Sequence, residues 1–267
     1  MEIGASLARL ELSSSDPQSL ASFYASTFRL QACDLGHSVV CQAPGRELAF
    51  VNGPGGQLRR VSFRFAQYAG FDRQHHLLCR GPAALVEASE EILTVRDPHG
   101  HWVSFLPPSA DAVVAGTARL QHFALRTPDP TSLAQFYIEQ LGFTVSDRVL
   151  DDAGDLTAIF LRTDAEHHSM ALFRAPEVRF DHFSCEVGGW SDLRDWADHM
   201  ASVGVDLAWG IGRHGPGNDT FLMIRDVDGN LGEVSSDLET CAPGRPAGVW
   251  PHRPQTLNQW GVALMRS

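Results

Sequence analysis

The sequence predicts an α+β protein of two tandem domains with similar architecture, each holding two strand-helix-strands modules. Three observations support this. Leu10 to Tyr24 aligns without gaps on Phe123 to Tyr137, and both stretches read as a strand, an Asp-Pro turn and a helix. Arg96 to Phe105 matches Arg225 to Val234, each a strand-turn-strand hairpin with glycine (Gly100, Gly229) at the turn. The strand around His182 leads through Gly188-Gly189 into a helix from Ser191 to Val203, whose apolar Leu193, Trp196, Ala197 and Met200 recur at helical spacing.

In chain order, the first domain (residues 1–110) starts with the strand at Leu10 to Leu12, turns at Asp16-Pro17 into a helix carrying Phe23 and Tyr24, and closes on the first hairpin. The Pro- and Ala-rich stretch from Pro107 to Gly116 is the expected linker. The second domain (residues 118–240) repeats the plan with a strand at Leu120 to Leu125, a helix from Pro130, the strand at His182, its helix and the second hairpin. Residues 241–267 form a tail expected to pack on the core.

Composition narrows the function. A chain of 267 residues has room for two domains with substantial cores. A formal net charge of -11 argues against nucleic-acid binding, which needs a basic surface, and gives no support for an anionic membrane surface. All 21 basic residues are arginine, and the absence of lysine excludes Schiff-base chemistry and a Walker-type phosphate loop. The five cysteines form no CxxC pair, so neither a disulfide framework nor a zinc knuckle is indicated. No signal-peptide pattern opens the chain and no apolar run approaches a membrane span, so the expected location is the cytoplasm.

Three polar residues stand on strands that otherwise read as apolar: His122, His182 and Glu233. Burying any of them is costly unless something pairs with it. Two imidazoles and one carboxylate at one point, with coordination positions left open, form the facial triad that holds non-haem Fe(II). The repeat supplies an internal control, since alignment of the halves sets Arg9 opposite His122, Arg60 opposite His182 and Ser104 opposite Glu233. The strands therefore form without these side chains. For any one residue alone, a core histidine bonded to a carbonyl, or a solvated glutamate near a hairpin end, is the better reading. For all three at corresponding inward positions it is not.

The stretch Leu120 to Gly142, the segment Glu166 to Phe173, the loop Gly212 to Asp219, the hairpin Arg225 to Glu233 and the tail Trp250 to Gly261 resemble type I extradiol ring-cleavage dioxygenases of the vicinal oxygen chelate superfamily. The resemblance implies four βαβββ modules in two domains, each a curled, partly open barrel, with metal only in the second. It implies that His122, His182 and Glu233 bind Fe(II), with Mn(II) as the alternative ion, and that a small catecholic substrate and O₂ meet there. His168 matches the histidine that such enzymes use to stabilise activated oxygen and move a proton. His214 matches the loop histidine that bonds the substrate oxygen, with Asn218 and Asp219 shaping its loop and bordering the substrate. His167, one residue away on an expected strand, should face the other way. A homo-oligomer is expected.

One departure stands out. Met223 lies nine residues after His214, where these enzymes commonly carry a tyrosine that bonds the substrate hydroxylate, and a thioether cannot donate a hydrogen bond. Weaker motifs are set aside. Gly210 to Gly215 spells GxGxxG with no helix after it, and Asp226 to Asn230 has its glycine at the wrong offset for a calcium loop. His75-His76 and the His99/His101 pair read as solvated loop residues, and Tyr24 and Tyr137 as packing residues. The expected function is an Fe(II)-dependent extradiol-type dioxygenase. The alternatives are a metal-dependent isomerase, lyase or hydrolase of the same superfamily, or a non-catalytic aromatic-ligand-binding protein.

Overall fold

The computed structural model describes residues 2–83, 85–109 and 118–265. The expected linker falls outside them from residue 110 onward. The first half runs β1 (Ala5–Ser14), α1 (Pro17–Thr27), β2 (Gln31–Asp34), β3 (Val39–Ala43) and β4 (Arg46–Asn52), then β5 (Gln57–Phe65), α2 (Tyr68–Arg80), β6 (Leu85–Ala88), β7 (Leu93–Arg96) and β8 (Trp102–Leu106). The second half repeats this order with β9 (Arg119–Thr127), α3 (Pro130–Leu141), β10 (Thr144–Leu150), β11 (Leu156–Arg162) and β12 (Met170–Arg174), then β13 (Arg179–Glu186), α4 (Trp190–Ser202), β14 (Trp209–Arg213), β15 (Thr220–Arg225) and β16 (Leu231–Ser236). A tail adds β17 (Gly248–Pro251) and the short α5 (Pro254–Leu257). Four βαβββ modules are therefore present.

The repeated Asp-Pro signal builds α1 and α3 in the same way. Asp16 and Asp129 cap the helices by accepting from the backbone N–H of Ser19 (3.0 Å) and Ser132 (2.9 Å), and proline occupies the first turn, where no N–H is needed. α3 ends on Gly142 at φ 81°, the left-handed conformation that suits glycine.

Each half forms one open, mixed sheet. The strand orders are β2-β3-β4-β1-β5-β8-β7-β6 and β14-β15-β16-β13-β9-β12-β11-β10-β17. In the second sheet the tail reaches both ends: β17 pairs in parallel with β10, and Gln259 N–H bonds Arg213 O on β14 at 2.8 Å. One continuous core joins the halves, with Tyr24 of α1 and Phe28, its C-cap residue, against Phe183 of β13 at ring distances of 5.2 and 5.0 Å. The opposite face of the second sheet carries two smaller apolar clusters, one around Phe160 and Phe173, the other around Trp209, Phe221, Met223 and Leu257.

The helix tyrosines do more than pack. Tyr24 donates its hydroxyl to Asp226 Oδ2 (2.8 Å) in the second half's hairpin, and Tyr137 donates to Asp97 Oδ2 (3.1 Å) in the first half's hairpin. Two expectations are corrected here. His101 is buried and bonds Asp97 through Nδ1 at 2.8 Å, while His99 reaches Thr127 in the other half at 2.9 Å, because this hairpin faces the interior of the molecule. His75 and His76 are exposed, as expected, but lie on α2 and not in a loop.

Candidate metal centre

β9, β13 and β16 are neighbours at the middle of the second sheet, and their register sets the site. His122 pairs with Ser184, and Ser184 with Glu233. The first sheet has the same ladder: Arg9 pairs with Ser62, and Ser62 with Ser104. The equivalences read from the sequence are thus equivalences of register. In the first half Arg9 holds Glu47 (2.8 Å) and Arg60 holds Ser104 Oγ (3.0 Å), so side-chain hydrogen bonds occupy the position of the donor cluster.

His122, His182 and Glu233 are all buried, and their ligand atoms gather at one point. His122 Nε2 lies 3.3 Å from His182 Nε2 and 3.9 Å from Glu233 Oε1, and His182 Nε2 lies 3.7 Å from Glu233 Oε2. The far nitrogens fix the rings. His122 Nδ1 bonds Gln121 Oε1 and His182 Nδ1 bonds Asp181 Oδ1, both at 2.6 Å. Gln121 is itself oriented by donating Nε2 to His168 O (2.8 Å) and Glu166 (3.1 Å), and Asp181 accepts from Arg126 Nε at 2.6 Å. With Nδ1 donating, both Nε2 atoms carry lone pairs toward the same point. Burial, reinforced by His182, holds the His122 imidazole well below its usual pKa, in the neutral form a cation needs.

Adjacent strand residues normally point to opposite faces. Gln121 and Asp181 share a face with the histidines that follow them because each is the extra residue of a β-bulge, skipped in the β9–β13 register. The first half has bulges at the same places, Ala8 and Arg59. The scaffold is therefore common to both halves, and only the side chains differ.

Around this point lies a cleft lined by Phe160, Ala171, Phe173, Trp209, Pro216, Met223, Thr256 and Leu257 together with His122, His168, His182 and His214. His168 is buried with its ring 4.3 Å from His122, and burial together with His122 keeps it neutral by lowering its pKa well below the usual value. His214 stacks on Phe221 at 3.9 Å and donates Nδ1–H to Leu257 O at 2.6 Å. Met223 is fully buried opposite Glu233 in the β15–β16 register, so both project to the same side.

Asp219 is fully buried near His214 and Glu233, and burial, then Glu186, pushes its carboxyl well above the usual range. Asn218 is exposed at φ 54°, with its carbonyl held by Arg213. It is outside the cleft lining.

The expectation for His167 is corrected. Residues 167 and 168 precede β12, so strand alternation does not apply to them, and their Nδ1 atoms meet at 3.0 Å. His167 Nε2 lies 3.1 Å from Asp147 Oδ2. Asp147 accepts from Trp250 Nε1 (2.6 Å), Arg245 (3.0 Å) and Gly248 N–H (3.0 Å). Burial alone would raise the Asp147 carboxyl, but these groups and His167 outweigh it and hold it at about 2. Sequence reasoning missed Gln121, Asp181 and Asp147. A polar side chain immediately before each histidine was a usable signal for the first two.

Residues 119–234 match the family model of the Glyoxalase/Bleomycin resistance protein/Dioxygenase superfamily. Among the chain's relatives are Metapyrocatechase 2 of Cupriavidus necator, 31% identical over 145 residues (54% of this chain, 44% of the relative), and a biphenyl-2,3-diol 1,2-dioxygenase of Pseudomonas sp. KKS102, 30% identical over 174 residues (58% and 59%). The chain thus spans about half the length of these curated relatives. The fold is shared along the whole chain with homoprotocatechuate 2,3-dioxygenase of Brevibacterium fuscum (TM-score 0.81, 22% identity, 99% of this chain and 91% of that one). It is also shared with a Mn(II)-bound glyoxalase of Novosphingobium aromaticivorans (TM-score 0.82, 20% identity, 100% and 93%).

Proposed function

We propose that this protein is an extradiol-type dioxygenase that uses Fe(II) and O₂ to cleave a C–C bond of a small catecholic or related oxygen-chelating aromatic. The observation that carries the reading is the meeting of two Nε2 lone pairs and one buried carboxylate, with both Nδ1 atoms already committed to Gln121 and Asp181. Lone pairs 3.3 Å apart repel unless a cation or proton lies between them, and the neutral His122 favours the cation. The donor set thus fits a divalent ion of the Fe(II) or Mn(II) kind. Such an ion, when bound, supplies the coordination sites at which catechol oxygens and O₂ meet.

The remaining side chains have separable tasks. Phe160, Phe173, Trp209, Met223 and Leu257 give the cleft apolar walls that bind a ring and exclude water. His214 lines the cleft with its ring fixed by Nδ1–H donation to Leu257 O, and its task is to hydrogen-bond a substrate hydroxyl. His168, buried and neutral beside His122, is placed to take and return a proton. The named activities of the Cupriavidus and Pseudomonas relatives support the same chemistry.

The experiment is O₂ uptake by anaerobically iron-loaded protein across a panel of catechols and other oxygen chelators. Substrate-dependent uptake with a ring-opened product is the expected result. Turnover that persists under strict anaerobiosis would point to isomerase, lyase or hydrolase chemistry, and tight binding without turnover to a ligand-binding protein. Either outcome overturns the proposal.

A further inference from the structure

We propose that His214, Asp219 and Glu233 form a second, weaker divalent-cation site beside the first, and that an ion bound there takes His214 away from the substrate. The feature that calls for a cation is Asp219. It is fully buried, and neither of its carboxylate oxygens has a hydrogen-bond partner among the described residues. The Glu186 carboxylate adds repulsion. A buried carboxylate in that setting is costly until a positive charge meets it. The other donors are already beside it, because one ligand atom from each of His214, Asp219 and Glu233 lies within 4.8 Å of the other two. This group and the one formed by His122, His182 and Glu233 have only Glu233 in common. A carboxylate has two oxygens to divide between two ions.

The loop between β14 and β15 builds this arrangement. Arg213 pairs with Thr220 at its base, and inside it His214 N–H donates to Asp219 O at 2.9 Å, which sets the two residues side by side. The imidazole donates Nδ1–H to Leu257 O at 2.6 Å, which assigns Nε2 to a cation. The first half gives a comparison. There Thr94 pairs with Ser104 as Met223 pairs with Glu233, and four residues before each stand Glu90, which is exposed, and Asp219, which is buried. The fold thus tolerates a solvated acid at this point, and the acid is buried only in the half that carries the other donors.

Two carboxylates and one imidazole suit Mn(II). Because Glu233 is shared and an ion in the first site repels a second, this site fills only when divalent cation is in excess. The consequence for turnover rests on the dioxygenase reading, in which His214 hydrogen-bonds the substrate. One Nε2 cannot serve an ion and a hydroxyl together. A filled second site therefore leaves the substrate oxygen without that bond, and excess divalent cation inhibits without displacing the iron.

Mn(II) is the probe, because it competes poorly with Fe(II) for a given set of donors and its EPR signal counts bound ions. Metal-free wild-type protein titrated with Mn(II) should take up two ions per chain, the second broadening the spectrum through coupling to the first. Asp219→Asn, which keeps the shape of the side chain, should take up one. A single ion in wild-type protein, the result if a proton neutralises Asp219, overturns the proposal, and so does an undiminished second ion in Asp219→Asn. Iron-loaded wild-type protein in excess Mn(II) should lose kcat/KM by roughly 10-fold, the scale of one charge-assisted hydrogen bond, with its iron retained by elemental analysis. The kcat/KM of Asp219→Asn should not respond to Mn(II). A second bound ion that leaves wild-type kcat/KM unchanged overturns the effect assigned to His214. If Asp219→Asn does not fold, the wild-type ion count decides. If wild-type protein consumes no O₂, the dioxygenase reading fails while the ion count still judges the second site.

Discussion

Replacing Met223 with tyrosine tests whether the cleft is a catechol site short of one hydrogen bond. Met223 is fully buried, opposite Glu233 on the neighbouring strand, and lines the cleft with His214. A phenolic hydroxyl carried from this backbone position projects to the side where the donor cluster lies. A hydrogen bond to a charged oxygen contributes about 1.5–3 kcal/mol. At about 1.4 kcal/mol per tenfold in rate, Met223→Tyr should raise kcat/KM on simple catechols by about 10- to 150-fold. The ring must also fit among Trp209, Phe221 and Leu257, and overpacking of that kind costs about 1–3 kcal/mol of stability. O₂ uptake measured across substituted catechols, with thermal unfolding of both proteins alongside, separates the two effects. Lower stability with unchanged kcat/KM on every catechol would show that residue 223 does not reach the substrate, and the reasoning would be refuted.

Three further outcomes are expected. His122→Ala, His182→Ala and Glu233→Ala should each abolish stoichiometric metal, while Arg9→Ala and Arg60→Ala at the register-equivalent positions leave it intact. Elemental analysis of protein purified without oxygen checks this, and undiminished metal in His182→Ala would sink the site. His168→Phe should leave metal content and substrate affinity nearly intact while slowing turnover at least ~10²-fold, read by comparing binding titration with steady-state rates. Asp147, held at about 2 against an ordinary value near 3.9, has a depressed folded-state pKa, so the stability it contributes is present above the unfolded value and is lost as pH falls through the folded one. Denaturant unfolding should therefore show a loss of roughly 2 kcal/mol between about pH 5 and pH 1 that is reduced in Asp147→Asn.

Much of this architecture was legible because the chain is written twice. The Asp-Pro caps before α1 and α3 are local signals, and the gapless repeat turns two weak readings into one strong one. His122, His182 and Glu233 stood out because a polar residue on an apolar strand conflicts with burial. The residues that serve them were harder to see. Gln121 and Asp181 reach their histidines only because of one-residue bulges, which no alternation of side chains announces. His167 was misjudged because strand periodicity was carried two residues too far, into the turn before β12. Asp147 meets His167 from a strand 20 residues away, and Trp250 bonds Asp147 across 103 residues, a proximity fixed by sheet pairing and not by spacing.

The half without the proposed ligands is fastened to the strand that carries Glu233. Tyr24 grips Asp226 just ahead of β16, and a Cβ at Gly232, next to Glu233, would come within 2.9 Å of the Phe28 ring and 3.2 Å of Tyr24. α1 thus bears directly on the backbone that presents Glu233. The first half acts as a splint, setting the height of the Glu233 carboxylate, a proposed ligand, from outside its own sheet. A chain beginning at residue 118 would keep every proposed ligand and lose the surface they are aligned against. Duplication here has divided the labour between a half that holds the proposed ligands and a half that holds them still.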